Sequence, residues 1–435
     1  MKESRQLDKR YIHSIEQLLR AEKTIPLGSQ TFSKSRTQYP VGVSPHFIDR
    51  AKGAYAWDID GNRYIDLVNS LAAITLGYGE EKVCEAVRSQ LEKGVLFSLP
   101  GVLESEVAEL LVDLVPSAEM VRFGKNGSDA TAAAIRLARA FTGREHIAVC
   151  GYHGWQDWYI GSTTRDKGVP VAVSELTHKF EYNNIESLNK ILHTHYNEIA
   201  AVIMEPMNSQ WPLPDFLENV KRVTAEAGAL LVFDETITGF RYSAGGAQEL
   251  FGVIPDLSTF GKGLANGFPL SAVVGSRKIM MEMEEIFFSG TFGGELLSLA
   301  AAKVVLEEHR DGDVTKQLNH IGSKLRDRVE EAIDRNSMGT ILQLSGHPSW
   351  IFLNWKATPK FSVDVLKTFF MQEMFNVGIL ILGSHNISLA FSDEVIEEIV
   401  SKYEEVLTTM ANEIKNGTLI EKLRVDPLQP LFRVR

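Results

Sequence analysis

The chain has almost no cysteine: Cys84 and Cys150 are the only two among 435 residues. Two thiols cannot build a disulfide framework or a cysteine metal set, and their scarcity fits a reducing compartment. Basic charge is in deficit, with 45 Lys and Arg against 56 Asp and Glu and a formal net charge of −11. That balance excludes the broad basic face that non-specific nucleic-acid binding needs, while leaving room for a local site that takes one phosphate. No apolar run approaches the ~20 residues that span a bilayer. The first nineteen residues are charged throughout and lack the apolar stretch of a secretory signal. The expected location is therefore the cytoplasm, with no membrane, no nucleic-acid partner and no metal site. Internal repeats and low-complexity segments are missing too. What remains is ordinary globular material, 44% hydrophobic and 23% charged, which argues against disorder. The length corresponds to two or three domains at roughly 150 residues each.

The periodicities predict an amphipathic helix over Tyr11–Arg20, followed by an irregular polar stretch from Gly28 to Pro45. Residues Ala54–Asp66 alternate in character around Asp60-Gly61, a hairpin signal because Asp-Gly supplies the positive φ of a tight turn. From about residue 100 to 300, short apolar runs alternate with helical stretches. The runs are Met120–Phe123, His146–Cys150, Ala200–Met204, Ala229–Phe233 and Ser271–Gly275. Such a pattern predicts an α/β fold with a mainly parallel sheet covered on both faces. A long helical region starts at Gly294. The last hundred residues predict strands at Ser349–Trp355, Gly378–Leu382 and Ile387–Phe391, and helices at Ser362–Phe375 and from Asp393 to about Lys415. The tail Leu428–Arg435 reads as an extended arm. The expected division is residues 1–65 as an N-terminal segment whose helix and hairpin join the small domain, 66–310 as the large domain, and 311–435 as a small C-terminal α/β domain.

Four stretches carry chemical potential. In Phe123–Arg139 a strand ends in a glycine-containing turn and an Ala-rich helix begins. Free N–H groups and the positive dipole end at such a junction favour a phosphate, with Asn126, Gly127 and Ser128 as donors; the same residues also make an ordinary helix cap. In Leu230–Arg241, Asp234 ends an apolar run. A carboxylate at the C-terminal end of a parallel strand faces the crevice where open α/β sheets bind ligands and can hold a protonated ring nitrogen, or it is a loop aspartate. In Ser258–Ser271, Lys262 stands between Gly261 and Gly263. A desolvated lysine loses its proton readily and condenses with carbonyls, whereas most lysines are solvated. In Gly151–Trp158, Tyr152 and His153 follow a strand, where an aromatic ring can stack on a planar cofactor or fill a core. Together these features fit a phosphorylated pyridine aldehyde.

The ordered set Phe47–Gly61, Ala134–Arg144, Tyr152-His-Gly, Met204-Glu-Pro, Phe233–Arg241 and Gly261–Pro269 resembles the class III aminotransferases of pyridoxal-phosphate fold type I. It is similar in particular to the glutamate-1-semialdehyde 2,1-aminomutase branch, from about Ile25 to Leu407. The resemblance implies pyridoxal 5'-phosphate, a Lys262 aldimine, and Asp234 beside the pyridine nitrogen. It implies a phosphate turn at Gly127 and Ser128, Tyr152 stacked on one ring face, and Thr236 where the family often carries a valine on the other. Glu205 is implied to lie near the cofactor as structural support. Gly290 and Thr291 are implied to reach the phosphate of a neighbouring subunit, hence a homodimer. Where the branch carries a substrate-binding arginine, this chain has Lys34, with Arg36 nearby. A lysine lacks the planar fork that grips a carboxylate. Leu71 stands where the branch has tryptophan, the Tyr152–Glu205 segment is shorter, and Leu382–Ser388 offers no arginine. These departures favour transamination between an amino donor and a separate aldehyde or ketone, such as an amino- or keto-sugar, over the intramolecular aminomutase reaction. Trp155, Trp158, Trp211 and His385 are candidates to line the substrate pocket, with packing as the alternative.

Overall fold

The computed structural model describes residues 9–429, so 430–435 of the expected C-terminal arm lie outside the described residues. In chain order the strands are β1 (Ile48–Lys52), β2 (Tyr55–Asp58), β3 (Arg63–Asp66), β4 (Met120–Gly124), β5 (His146–Cys150), β6 (Thr177–Lys179) and β7 (Ile199–Met204). They continue as β8 (Leu230–Asp234), β9 (Leu257–Phe260), β10 (Ser271–Gly275), β11 (Leu342–His347), β12 (Trp350–Trp355), β13 (Ile379–Leu380) and β14 (Ser384–Asn386). The chain forms two compact units. Among the described residues, one holds Ser70–Thr75 and Glu80–Gln317; the other holds residues 9–69, Leu76–Gly79 and residues 318–429.

The 70–317 unit is built on a seven-stranded sheet in the order β4-β10-β9-β8-β7-β5-β6. Strands β6, β5, β7, β8 and β9 run parallel. Strand β10 runs antiparallel to both of its neighbours. The strands read as unbroken apolar runs because both faces are covered. On one face Ile147, Val149, Ile203 and Val232 meet Ala133, Ala134, Leu137 and Ala138 of the Gly127–Thr142 helix. On the other, Ala148, Val202, Leu231 and Phe233 meet Leu188, Phe216 and Val220. The alanines of the Gly127–Thr142 helix let its backbone approach the sheet closely.

Two strands of this sheet were not expected, β6 and β9. Strand β9 is half polar, yet fully buried. Its Ser258 hydroxyl meets Ser117 Oγ at 3.0 Å and its Thr259 hydroxyl donates to Asp234 Oδ1 at 3.1 Å. Hydroxyls satisfied in this way sit in a core that hydropathy alone denies them.

The other unit carries the hairpin at its expected place. Trp57 pairs with Arg63 and Tyr55 with Ile65 across a turn in which Gly61 has φ 85°. The amphipathic helix runs Ile12–Ala21, and the long C-terminal helix runs Asp393–Asn416. Strand β13 adds to β3 in parallel, and β11, β12 and β14 form a separate three-stranded sheet. The strand expected at Ile387–Phe391 is displaced to Ser384–Asn386. There His385 Nε2 meets the Tyr403 hydroxyl and Asn386 Nδ2 donates to the Val68 carbonyl at 2.7 Å, so buried polar side chains masked the strand. Among the described residues no helix is long and apolar enough to cross a membrane.

Candidate active site

Parallel strands deliver their C-terminal ends to one rim of a sheet, where ligands of open α/β folds bind. Here five strand ends converge on a cavity of about 340 Å³. Beyond β4 comes the turn Asn126-Gly127-Ser128; beyond β5, Tyr152 and His153; beyond β7, Glu205. Strand β8 ends in Asp234 and is followed by Thr236, and β9 is followed by Lys262. All nine line the cavity. Gly290 and Thr291 do not: they lie on an exposed segment outside it. Nor do Trp155, Trp158, Trp211 and His385. Trp158 packs in the core under the sheet and His385 is buried against Tyr403. For Trp158 and His385 the expected lining role is corrected to the packing alternative, while Trp155 and Trp211 are exposed.

Asp234 is 5% exposed. Burial alone would raise its pKa, but the hydrogen bond and charge of His153, together with the Thr236 hydroxyl and amide, bring it below the ordinary carboxylate value. Its Oδ1 accepts from Thr236 N at 3.1 Å, Thr236 Oγ1 at 2.6 Å and Thr259 Oγ1 at 3.1 Å. Its Oδ2 lies 2.8 Å from His153 Nδ1. Three donors crowd Oδ1, so Oδ2 is the atom with a lone pair to spare. The other ring nitrogen of His153 is 3.1 Å from the Cys150 carbonyl. Both partners of the ring are acceptors.

Lys262 is pushed down to about 8, first by removal from water and further by Arg241, against the opposing pull of Glu205 and Asp234. It adopts φ 43°, a left-handed conformation rare for a side-chain-bearing residue. Glu205 is shifted upward by burial, which outweighs His153, the Tyr152 amide and Lys262. Its Oε2 accepts from that amide at 3.1 Å. The Tyr152 ring stands edge-on to Tyr159 at 5.6 Å.

At the head of the Gly127–Thr142 helix, Asp129 Oδ2 accepts from Lys125 N at 3.0 Å and Asn126 N at 2.8 Å. Among the described residues the amides of Gly127 and Ser128 have no protein acceptor. Two free N–H groups at a helix N-terminus form an anion seat. The seat is tight: a Cβ on Gly127 would stand 2.9 Å from Thr236 Cγ2, and one on Gly154 2.3 Å from Ser128 Oγ. Sequence reading missed three contributors. Thr259 pairs in register with Asp234. Thr131 donates to the His153 carbonyl at 2.9 Å. Lys125 lines the cavity while paired with Glu295 at 3.0 Å. Strand β9, had it been recognised, would have pointed to Thr259.

Residues 38–407 match the family described as aminotransferase class-III. The chain is 37% identical over 423 residues to a glutamate-1-semialdehyde 2,1-aminomutase of Alkaliphilus oremlandii, covering 91% of this chain and 99% of the relative. It is 32% identical over 404 residues to a 3-aminobutyryl-CoA aminotransferase of Cloacimonas acidaminovorans, covering 89% and 96%. The solved PLP internal aldimine form of the FumI protein of Sphingopyxis sp. MTA144 superposes with a TM-score of 0.86 at 28% identity, over 92% of this chain and 97% of that one.

Proposed function

The chain belongs to the class-III aminotransferase family, and from that premise we propose pyridoxal 5'-phosphate as its cofactor and amino transfer between a donor amine and an aldehyde or ketone as its reaction. The residues present fit the group. The free amides of Gly127 and Ser128, with Asn126 beside them, form a seat for a phosphate; Asp234 is an anion suited to a protonated ring nitrogen; and Tyr152 offers an aromatic face. When bound, pyridoxal phosphate supplies a carbonyl for amines and an electron sink for the carbanion left when a proton departs.

The chain's own residues do the rest. Asp234 Oδ2, hydrogen-bonded to His153 Nδ1, would hold a proton on the cofactor's ring nitrogen. Lys262 Nζ, its pKa lowered to about 8, would hold the cofactor's aldehyde carbon with loss of water, and, once a donor amine had displaced it, would be free to take and return the proton at the reacting carbon. Glu205 fixes the Tyr152 backbone. The observation that carries this reading is the shared cavity of a depressed lysine and a hydrogen-bonded, anionic aspartate. Loaded protein mixed with a panel of amines tests it. The visible band of the bound cofactor should fade with a true donor and return when a carbonyl acceptor is added. A band indifferent to every amine would refute it.

The 37% identical relative supports a second reading, intramolecular amino transfer on a single amino-aldehyde. Turnover of such a compound with no second carbonyl present would establish that reading over the first. We favour separate donor and acceptor, because Lys34 replaces the expected arginine and Arg36 is paired with Glu22. We further propose a homodimer in which Thr291 serves the neighbouring site. That is supported by exposed apolar side chains flanking this segment and elsewhere: Phe287, Phe292, Leu99 and Val102. The two free cysteines support a cytoplasmic location.

A further inference from the structure

Three histidines that the amino-transfer chemistry does not use meet at the other end of the sheet. His146 opens β5, whose far end leads to Tyr152 and the cavity. His178 is the middle residue of β6, the edge strand, and pairs in register with Ala148. Side chains alternate along a strand, so His178 shares a face with His146. His195 caps the C-terminus of the Ile185–Thr194 helix. One nitrogen from each ring can be chosen so that all three lie within 4.8 Å of one another. His146 Nδ1 and His178 Nε2 are 2.8 Å apart in rings tilted by only 10°. His195 stacks on His178 with centroids 3.9 Å apart. Glu198 Oε2 is 3.2 Å from His195 Nδ1 and 3.9 Å from His146 Nε2. The rings are half-buried, and His178 and His195 line a surface groove of about 610 Å³.

We propose that His146, His178 and His195 bind one divalent transition-metal ion of the kind that prefers imidazole, zinc foremost. Imidazole nitrogens select zinc, copper and nickel over magnesium and calcium. Two nitrogens on one zinc, each at about 2.0–2.1 Å, stand roughly 3.3 Å apart. The His146–His178 pair therefore opens by only about half an ångström, through ring rotation, as the metal replaces their hydrogen bond. The Glu198 carboxylate on His195 Nδ1 fixes that ring and directs Nε2 to the ion, the usual carboxylate–histidine support of metal ligands. Water completes the open position. The ion ties the edge strand β6 and the helix end at His195 to β5, well away from Lys262.

The test uses the pyridoxal-phosphate-loaded protein, stripped of metal and free of any polyhistidine tag, titrated with zinc against a chromophoric chelator. Wild type should take up one more zinc per chain than His195→Asn or His178→Gln, and its melting temperature should rise with zinc where theirs does not. Glu198→Gln should weaken binding about tenfold. Cobalt(II) provides a check on wild type alone, independent of how the variants fold: visible d–d bands of a nitrogen-ligated ion should appear and be displaced by zinc. Equal zinc uptake by wild type and both variants, or no cobalt bands in wild type, would overturn the site. Neither result bears on amino transfer.

Discussion

Lys262 is the residue where chemistry and stability oppose each other. Its pKa falls from 10.5 to about 8 on folding of the cofactor-free protein. Between those values the unfolded chain binds more protons than the folded one, so stability rises with pH across pH 8–10.5 and the full penalty holds below 8. That penalty is roughly 3 kcal/mol. Lys262→Met should therefore stabilise the cofactor-free protein at pH 7 by up to about that amount. The difference between the two proteins should shrink as pH climbs to 10.5, as urea melts at several pH values would show. The same substitution should abolish turnover. Asp234→Asn should lower the rate about a hundredfold or more, whereas His153→Ala, which acts through Asp234, should cost about tenfold. Single-turnover rates separate the two. At this scale Asp234 and Tyr152 were legible because each closes or follows an apolar run, Lys262 was marked by its flanking glycines, and Glu205 came only from the family resemblance. Thr259 and Thr131 were not legible, because nothing in a lone threonine shows which acceptor will lie beside it.

Among elements, the turn at Asn69–Ala72 is unusual. Its four consecutive residues have φ of 43°, 51°, 61° and 68°, and none is glycine. Left-handed residues of this kind cost about 1–2 kcal/mol each. The turn is held from both ends: Asp66 Oδ1 accepts from Val68 N at 2.7 Å and Asn69 N at 3.0 Å, and Arg241 donates to the Ala72 carbonyl at 3.2 Å. Ala73, next along, lines the cavity. Ala72→Gly should leave stability unchanged or raise it by up to about 1 kcal/mol, and Ala72→Val should lower the melting temperature. Gly154→Ala, by contrast, forces a methyl onto Ser128 at φ 100° and should weaken cofactor affinity, read as a raised dissociation constant by equilibrium dialysis. Strands β5 and β10 were readable to the residue because continuous apolar runs have one use in a sheet covered on both faces. Strands β9 and β14 were hidden by buried polar side chains whose partners are distant in sequence, and β6 by its three-residue length and lack of any apolar residue. A left-handed run of ordinary residues leaves no compositional trace.

At the scale of the whole molecule, the proposed sharing of active sites across a dimer predicts complementation. A Lys262→Ala dimer and a Thr291→Ala dimer, each deficient, should recover activity when unfolded together and refolded, because each mixed dimer holds one complete site. No recovery would mean that Thr291 serves no neighbour. The α/β class was legible from alternating strands and helices, and the N-terminal helix and hairpin were expected to join the C-terminal unit; the finer interleaving, with Leu76–Gly79 returning to that unit, was not legible. That interleaving has a consequence for biosynthesis. The ribosome releases the N-terminal helix and hairpin early, yet the strand that joins Ile65 waits for Ile379. Throughout that interval the nascent hairpin carries an uncovered edge, while the sheet that bears Lys262 can already close. Chaperone demand during translation should accordingly centre on the first seventy residues and end only as the last quarter of the polypeptide emerges.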